Sequence, residues 1–290
     1  LLTLLGAPLV SLALLSLSDM RAEALEPLPD YVIEQFGQPP AIPEDPPSDD
    51  VMSAVRTVFV DSLPESSWGD AETAALDTIV RSGDPRLVWT ISDMMRFTWR
   101  KAFDDALADA AGKLLGVEIK TLQRWGEVAD YLSAWDIPSY PGYLPVKRAI
   151  FTRFVPGWER IFVDGEIDWR LVSWGGVLID NRPYDTTLQP CNCIPAADNP
   201  EVSSAEEATW LKDEDIVFGI SVNGEHRAYP RRIMEVREMV NDTLGGRDLG
   251  IPYCTLCGAA QAYFTDDVPE GVERPILRTS GLLIRSNKVM

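Results

Sequence analysis

The chain has 290 residues, of which 46% are hydrophobic, and it contains nine Trp, nine Phe and eight Tyr. This composition supports a packed core and excludes a disordered chain. The 45 acidic residues outnumber the 26 basic ones and give a net charge of -19, which disfavours binding to phosphate backbones or anionic lipid. We therefore expect the partner to be a small molecule or a protein, and not a nucleic acid.

Residues 1–24 have the features of a signal peptide. The run is apolar until Asp19 and is followed by Ala22-Glu23-Ala24, a small-x-small pattern that suits signal peptidase. Gly6 and Pro8 interrupt the run, so it is a poor membrane span, and we expect no stable span after cleavage. A retained signal anchor is the alternative. We expect export to the periplasm or the extracellular space, where the oxidising conditions permit disulfides.

Residues 25–50 are predicted to form a proline-rich linker. Five prolines lie between Gly37 and Asp50, and prolines favour an extended polyproline conformation. Residues 51–150 then show helical spacing of apolar residues. Leu76, Ile79 and Val80 share one face, which ends at Gly83, and Asp84-Pro85 is typical of the start of a further helix. The pattern predicts short amphipathic helices, arranged in pairs or as a HEAT-like stack.

Residues 151–290 are predicted to form a β-rich, mostly antiparallel domain. Asn223-Gly224 favours a type I′ hairpin because both residues tolerate positive φ. A short helix is expected over Ile233 to Val240. The predicted strands are Ile216–Val222 and His226–Tyr229 around the hairpin, and Leu249–Tyr253 and Ala259–Phe264 around a cysteine pair. Together with the helical region, this pattern predicts an α+β fold.

The four cysteines are consistent with three kinds of chemistry. A metal site would use Cys254 and Cys257 as thiolate ligands, completed by Cys191 and Cys193 or by an oxygen of Asp242 or Glu238, and would suit zinc or copper. Structural disulfides in an exported protein are the second interpretation, with three possible connectivities. A redox pair at Cys254 and Cys257 is the third. The sequence Ala259–Phe264 after this pair favours a strand over the helix that a thioredoxin-like motif requires.

A set of motifs in fixed order resembles the domain-of-unknown-function family numbered 3179, which occurs mostly in exported bacterial and archaeal proteins. The resemblance covers roughly residues 168–290. It rests on IPAADNP at 194–200, NGEHRAYP at 223–230, VNDTLGG at 240–246, YCTLCG at 253–258, SGLL at 280–283, Ser286-Asn287 and Val289-Met290. Val236-Arg237-Glu238 stands where the family has Trp-His-Glu, so an imidazole is missing. Because the family domain extends further, we expect the chain to be truncated at its C-terminal end.

Several polar residues within these motifs are candidates for a pocket around the cysteines. They are Glu225, Arg227, Tyr229, Glu238, Asn241, Asp242, Ser280 and Asn287, with Arg285 as a further member. Turn and capping roles are the alternative for Asn241 and Asp242. His226, the one histidine, is expected at the surface. The chain has no G-x-G-x-x-G or Walker sequence, so we expect no nucleotide cofactor.

From the sequence, the favoured hypothesis is an exported metal-binding domain built on Cys254 and Cys257. One alternative is a non-catalytic binding module whose cysteines form structural disulfides. The other alternative is a thiol–disulfide oxidoreductase. Whether the protein is an enzyme stays open.

Overall fold

The computed structural model describes residues 27–62, 68–98, 100–162, 167–186, 191–285 and 287–290. The predicted signal peptide, residues 1–24, lies outside these ranges. The described residues up to 38 belong to one unit, and the described residues from 39 to 290 form another. In the first unit, helix α1 (Asp30–Phe36) ends at Gly37, whose φ of 77° terminates the helix. This helix lies inside the segment that the sequence predicts to be a linker.

The second unit begins with a group of helices. The predicted start and stop signals are present: the helix Asp70–Ser82 ends at Gly83 with φ 66°, and the Asp84 carboxylate accepts the Arg86 N–H at 3.0 Å to start a 3₁₀ turn, Pro85–Leu87. That turn leads directly into the helix Val88–Met95. The helices are α2 (Asp49–Arg56), continued by a π-helical turn at Thr57–Asp61, α3 (Asp70–Ser82), α4 (Val88–Met95), α5 (Lys101–Leu115), α6 (Arg124–Ala134) and α7 (Tyr143–Phe154).

Helix α4 is the centre of the helical core, since all eight of its residues are buried. It packs against α5, α6 and α7. Such burial on every face leaves the polar side chains of α4 in need of internal partners. Asp93 finds them in Lys147, whose Nζ donates to the carboxylate at 2.6 Å, and in Tyr143, whose hydroxyl donates at 2.7 Å.

The rest of the second unit is mainly antiparallel sheet, which confirms the predicted α+β class. The strands are β1 (Val172–Trp174), β2 (Ala197–Asp198), β3 (Val217–Val222), β4 (Glu225–Pro230), β5 (Met239–Leu244), β6 (Arg247–Cys254), β7 (Ala259–Ala260), β8 (Tyr263–Phe264), β9 (Leu282–Ile284) and β10 (Asn287–Lys288). One sheet has the order β1-β9-β10, and another has β2-β5-β6-β7, with β8 also on β6. Strand β2 pairs with β5 in parallel, and the other strand pairs are antiparallel.

The predicted hairpin and helix of this region are both present. Asn223 (φ 50°) and Gly224 (φ 86°) connect β3 to β4 with the positive dihedrals of a type I′ turn. Helix α8 (Arg231–Arg237) ends earlier than the expected Val240. Glu238 adopts a left-handed φ of 55°, and the next residue begins β5. Burial explains the difference, because Met239 and Val240 enter the core as strand residues.

The helical and β-rich parts of residues 39–290 share buried polar contacts. Nζ of Lys147 on α7 donates to the carbonyl of Val172 on β1 at 2.6 Å. Trp158, in a 3₁₀ turn at Pro156–Arg160, donates its indole N–H to the carbonyl of Ser280 at 2.6 Å. In the described ranges no helix is both long and apolar enough to cross a membrane.

Candidate dithiol site

The cysteine pair Cys254 and Cys257 lies at the end of a strand, in a tight turn. Cys254 is the last residue of β6 and is buried, whereas Cys257 is exposed. Gly258 follows with φ 64°, and the chain returns as β7, which places Ala259 opposite Cys254. The predicted strand before the pair is confirmed, whereas the single strand predicted over Ala259–Phe264 is divided into β7 and β8, which both pair with β6. No helix begins after Cys257 in this described stretch, so the thiols lack the helix N-terminus that activates a thioredoxin-type cysteine.

The two sulfur atoms are in direct contact. The Sγ atoms of Cys254 and Cys257 are 2.9 Å apart, which is a hydrogen-bonding distance and is longer than the roughly 2.05 Å of a disulfide bond. The two sulfur atoms are therefore in close contact without the S–S bond of a disulfide. Because the pair needs only a small approach to form an S–S bond, its geometry fits both a dithiol and a disulfide state.

The environment of the pair separates the two pKa values. Burial raises the pKa of the Cys254 thiol, but the hydrogen bond between Cys254 and Cys257 and the backbone N–H groups of Cys257, Leu256 and Lys288 outweigh burial and lower it. The pKa of Cys257 is raised, first by its hydrogen bond to Cys254, then by burial and by the negative charge on Cys254. The two thiols therefore have opposite pKa shifts, and Cys254 forms a thiolate more readily than Cys257 does.

Strand β10 brings a cation to this site. Lys288 has a nearly buried side chain, and its Nζ donates to the carbonyls of Tyr253 and Glu238, both at 2.8 Å. The same ammonium forms an ion pair with the Glu238 carboxylate at 2.8 Å. Burial lowers the pKa of Lys288, while Glu238 and then Cys254 act in the opposite direction. Lys288 thus contributes both positive charge and a backbone N–H at the Cys254 sulfur, and both favour its thiolate form.

Two further side chains position the turn. Glu238, held in its left-handed conformation, accepts a hydrogen bond from the Thr255 hydroxyl at 2.6 Å, so that it links the cysteine turn to Lys288. Oδ1 of Asn287 lies 3.7 Å from the Cys257 sulfur and accepts the backbone N–H of Lys288 at 3.0 Å. Adjacent residues of β10 therefore contact one cysteine each.

A cavity of about 190 Å³ lies beside Cys254. Its polar lining consists of Cys254, Glu238, Thr255, Thr279, Ser280 and Lys288, and its apolar lining includes Val177, Ile194, Leu256 and Leu282. The cavity is small for a drug-sized molecule, since typical ligand pockets have volumes of about 300–1,000 Å³. It offers room for the side chain of an approaching residue or for a small ligand.

The sequence-predicted pocket residues fall into three groups. Glu238, Ser280 and Asn287 lie at the cysteines, as described above. The hydroxyl of Tyr229 donates to Asp242 at 2.8 Å, and Arg227 forms an ion pair with the same carboxylate, so these residues attach β4 to β5. Burial and the Asp242 hydrogen bond raise the pKa of Tyr229.

The remaining candidates have structural contacts of their own. Glu225 accepts the backbone N–H of Gly245 at 3.1 Å, and Asn241 donates to Asp198 at 2.8 Å. Arg285 is exposed. His226 is exposed, as predicted, with Nδ1 2.7 Å from the Ser221 hydroxyl. The alternation of side chains along β4 correctly predicted that Glu225, Arg227 and Tyr229 lie on one face of the strand. That face is directed at β5.

The other two cysteines form a disulfide, Cys191–Cys193, with a Cα–Cα distance of 5.1 Å. Their sulfurs and a carboxylate oxygen of the buried Asp180 lie within 4.8 Å of one another. Asp180 is already engaged: Arg182 Nε donates to it at 2.7 Å, and the Ala196 N–H donates at 2.9 Å. Sulfurs bonded to each other offer no thiolate to a metal ion, so in this state the trio is not a thiolate site.

A metal held by Cys254 and Cys257 would have few protein ligands. Within the described ranges, no third His, Cys, Asp or Glu ligand atom joins the two sulfurs in a group of mutually close ligands. Zinc sites generally use three or four protein ligands. The Glu238 carboxylate, which lines the cavity, is occupied by Lys288 and Thr255.

Lys288 is the site residue that the sequence did not reveal. It lies between Asn287 and Val289 of a recognised motif. A lysine near the end of an acidic chain does not by itself indicate a functional role. Its role depends on the pairing of β10 with β9, which brings it to β6 from a distant part of the sequence.

Comparison with known families supports the resemblance noted in the sequence. Residues 191–290 match the family described as "Protein of unknown function (DUF3179)". The matched segment contains both cysteine pairs, the hairpin and β10. No curated protein and no solved structure matches the chain.

Proposed function

We propose that the β-rich part of this protein is a thiol–disulfide exchange module, in which Cys254 and Cys257 donate their disulfide to the thiols of a partner. The observation that carries the proposal is the 2.9 Å contact between a buried sulfur, which receives backbone N–H groups, and an exposed sulfur. One sulfur is built to hold negative charge, and the other is open to a partner. The apolar N-terminal segment and the Cys191–Cys193 disulfide support an exported location for this activity.

The exchange has two steps. A partner thiolate attacks Sγ of the exposed Cys257 in the Cys254–Cys257 disulfide; the S–S bond breaks, and its electron pair leaves on Cys254 as a thiolate. A second partner thiolate then attacks the partner's sulfur in the mixed disulfide. The partner disulfide forms, and Cys257 leaves and takes up a proton. In total the partner loses two electrons, and the cysteine pair gains them.

The stabilised Cys254 thiolate sets the direction of transfer. A thiol with a lower pKa is a better leaving group, and stabilisation of the reduced form makes a disulfide more oxidising. Here the N–H groups of the turn and of Lys288 supply the stabilisation that a helix N-terminus supplies elsewhere. The buried position of Cys254 directs the partner to Cys257, which is the attack that releases the better leaving group.

The test is the reduction potential of the Cys254–Cys257 pair. The protein is equilibrated in glutathione buffers of increasing oxidation, alkylated, and digested for mass spectrometry, so that the two pairs are measured separately. We expect a potential above the roughly -270 mV of thioredoxin. A value below about -300 mV, typical of structural disulfides, would contradict the proposal. Oxidation of a reduced dithiol peptide is the activity readout, with Cys257→Ser as the inactive control.

Metal binding by the same two sulfurs is a second candidate. It is supported by the hydrogen bonds from the N–H groups of Leu256 and Cys257 to the Cys254 sulfur, because such bonds stabilise any thiolate, including one bound to zinc or copper. Because the described part of the chain places only two sulfur ligands together here, copper(I) suits the pair better than zinc. Native mass spectrometry of the thiol form with Cu(I), and separately with Zn²⁺, tests this candidate. Retention of one ion by the wild type, and not by the Cys254→Ser/Cys257→Ser variant, would favour it.

A further inference from the structure

A second cavity, of about 730 Å³, lies along strand β4. Five consecutive residues of this strand, 226–230, line it, together with residues of the segment 200–213 and with Ile233 and Met234 of α8. Because successive residues of a strand face opposite sides, contact with all five indicates that the cavity follows the strand as a groove. Its described lining includes no cysteine and shares no residue with the cavity beside Cys254. We call it the β4 groove.

The outer edge of β4 has backbone groups that are available for pairing. The hairpin of β3 and β4 is a separate two-stranded sheet, in which alternate residue pairs exchange backbone hydrogen bonds. The N–H of Arg231 donates to the carbonyl of Ile216 just beyond the ladder, so the bonded pairs recur at every second position from there. The N–H and C=O groups of His226 and Ala228 therefore point away from β3. Among the described residues, these groups form no other backbone hydrogen bond.

The middle of the hairpin has small residues where a strand usually has large ones. Gly219 of β3 lies directly opposite Ala228, and both residues line the β4 groove. Glycine weakens a strand, yet the backbone does not require it here, because Gly219 lacks a positive φ and an added Cβ would meet nothing within 4 Å. A glycine inside a strand also marks a place where a ligand or another backbone approaches closely. The space over these two residues is therefore room for a bound molecule.

Large apolar side chains surround the groove and are exposed. Val202, Trp210 and Ile233 all line it, with exposed fractions of 60%, 46% and 44%. The guanidinium of Arg232 lies 4.7 Å from the ring centroid of Trp210 and donates to the Trp210 carbonyl at 2.8 Å, which holds this residue at the rim. Exposed apolar residues that gather around one groove, unlike those scattered over a surface, are typical of a binding site.

One wall of the groove carries excess negative charge. Its segment, 200–215, contains a single basic residue, Lys212, and the acidic residues Glu201, Glu206, Glu207, Asp213, Glu214 and Asp215. All of these carboxylates except that of Asp215 belong to exposed residues. Arg227, which also lines the groove, is already paired with Asp242. The wall therefore favours a basic partner, and the net charge of -19 disfavours a second copy of the chain.

We propose that the β4 groove binds an extended segment of a basic partner protein, which adds to the edge of β4 as a further strand. The backbone groups of His226 and Ala228 pair with the main chain of the segment. The long stem of a Lys or Arg side chain on the outer face lies across Ala228 towards Gly219. Since a strand rises about 3.4 Å per residue, a segment of about five or six residues matches the lined part of β4. This inference is independent of the proposed thiol chemistry.

Peptide binding to the full chain tests the proposal. The probes are four fluorescein-labelled ten-residue peptides that alternate lysine with valine, isoleucine, tyrosine or phenylalanine, and binding is measured by fluorescence anisotropy. We expect at least one to bind, and its counterpart with glutamate in place of lysine to bind at least about tenfold more weakly. N-methylation of alternate amides on the pairing edge should also weaken binding at least about tenfold. Absence of binding by all four peptides would overturn the proposal.

The methylated peptide distinguishes strand addition from other kinds of binding. If it binds as tightly as the unmethylated peptide, the groove recognises side chains or a small molecule, and strand addition is wrong. If the glutamate peptide binds equally well, the assignment of a basic partner is wrong. The peptides contain no thiol, so neither result bears on the exchange chemistry of Cys254 and Cys257.

A proline substitution locates the binding edge. Ala228→Pro removes an N–H that points away from β3, so the ladder of the hairpin keeps its bonds and binding should fall at least about tenfold. Val217→Pro is the matched control, because Val217 has the corresponding outward position on β3 and is not among the groove residues. It should bind as the wild type does. Equal losses in the two variants, or no loss in Ala228→Pro, would contradict the proposal.

A second substitution tests the space over the hairpin without removing a hydrogen bond. Gly219→Val introduces a β-branched residue that favours a strand, so the midpoint of thermal unfolding should stay the same or rise. The added side chain occupies the open space, and we expect peptide binding to weaken at least about fivefold. Wild-type affinity in this variant would show that the bound segment does not use that space, and the proposed placement would be wrong.

Discussion

The indole N–H of Trp158 donates to the carbonyl of Ser280 at 2.6 Å, and both residues are almost fully buried. Ser280 lines the cavity beside Cys254. The bond therefore ties the short 3₁₀ turn after the helices to a wall of the dithiol site. Trp158 and Ser280 are far apart in the sequence, so this hydrogen bond allows the helical part of the protein to stabilise the dithiol site.

Replacement of Trp158 by Phe should destabilise the protein measurably. Phe retains most of the buried aromatic surface but leaves the Ser280 carbonyl without its indole donor, and an unsatisfied buried acceptor costs about 1–3 kcal/mol. Urea unfolding monitored by far-UV circular dichroism measures the loss. Trp210→Phe is the control, since this tryptophan is 46% exposed and its replacement should change the free energy of unfolding by less than about 0.5 kcal/mol. If the two replacements lowered the free energy of unfolding equally, the Trp158–Ser280 hydrogen bond would have no special role in stability.

Replacement of Lys288 by Met should raise the pKa of the Cys254 thiol. The ammonium group stabilises the thiolate, so its loss disfavours the charged form. The rate of iodoacetamide modification of Cys254, followed by peptide mapping against pH, reports the change. The profile should move to higher pH relative to the wild type. Lys113→Met is a suitable control, because Lys113 pairs with Asp109 on the exposed surface of α5. An unchanged profile in the Lys288 variant would show that the amides alone set the thiol pKa.

The dithiol pair should also give a characteristic pH dependence of stability. The lowered pKa of Cys254 means that the unfolded chain binds more protons between the folded value and about 8.5, so this thiol stabilises the fold increasingly as pH rises through that window. The raised pKa of Cys257 has the opposite effect, and its contribution is lost as pH rises above about 8.5. The difference in unfolding free energy between the dithiol protein and the Cys254→Ser/Cys257→Ser variant should therefore have a maximum near pH 8.5. A monotonic difference would contradict the assignment.

The Lys147–Asp93 pair should show strong coupling in a double-mutant cycle. Burial raises the pKa of Asp93 more than Lys147 lowers it, so an unpaired carboxylate at this position is costly. Lys147→Met alone should destabilise the protein by about 3–5 kcal/mol. The double change Lys147→Met/Asp93→Asn should cost less than the sum of the two single changes, as measured by thermal and urea unfolding. Simple additivity would mean that the two groups are held independently.

The features that the sequence predicted well are those set by neighbouring residues. Gly83 ends α3 and Asn223-Gly224 turns the hairpin because the left-handed conformation is available there regardless of the rest of the fold. The extended chain after Cys257 was also predicted, although the structure divides it into β7 and β8. The end of α8 was misplaced by a few residues because burial of Met239 and Val240 in the sheet overrode a helical pattern.

The features that could not be predicted depend on distant pairings. Four cysteines allow three connectivities, and the structure has one bond, between Cys191 and Cys193. Arg227 and Tyr229 were correctly placed on one face of a strand, but only the β4–β5 arrangement shows that their partner is Asp242. Lys288 reaches the thiols because β9 and β10 fold back over the turn. Local pattern carries no information on any of these contacts.

The pairing of β1 with β9 has a consequence for where this domain is cut. Residues 191–290 match the family, but Val172–Trp174, the antiparallel neighbour of Leu282–Ile284, precede that segment, and so does Trp158. A fragment trimmed to the matched residues would leave one side of β9 without its backbone partners and would open a wall of the cavity. The unit that sequence comparison recognises is therefore smaller than the unit that folds, and a recombinant fragment intended to retain the thiol chemistry should begin before Pro156.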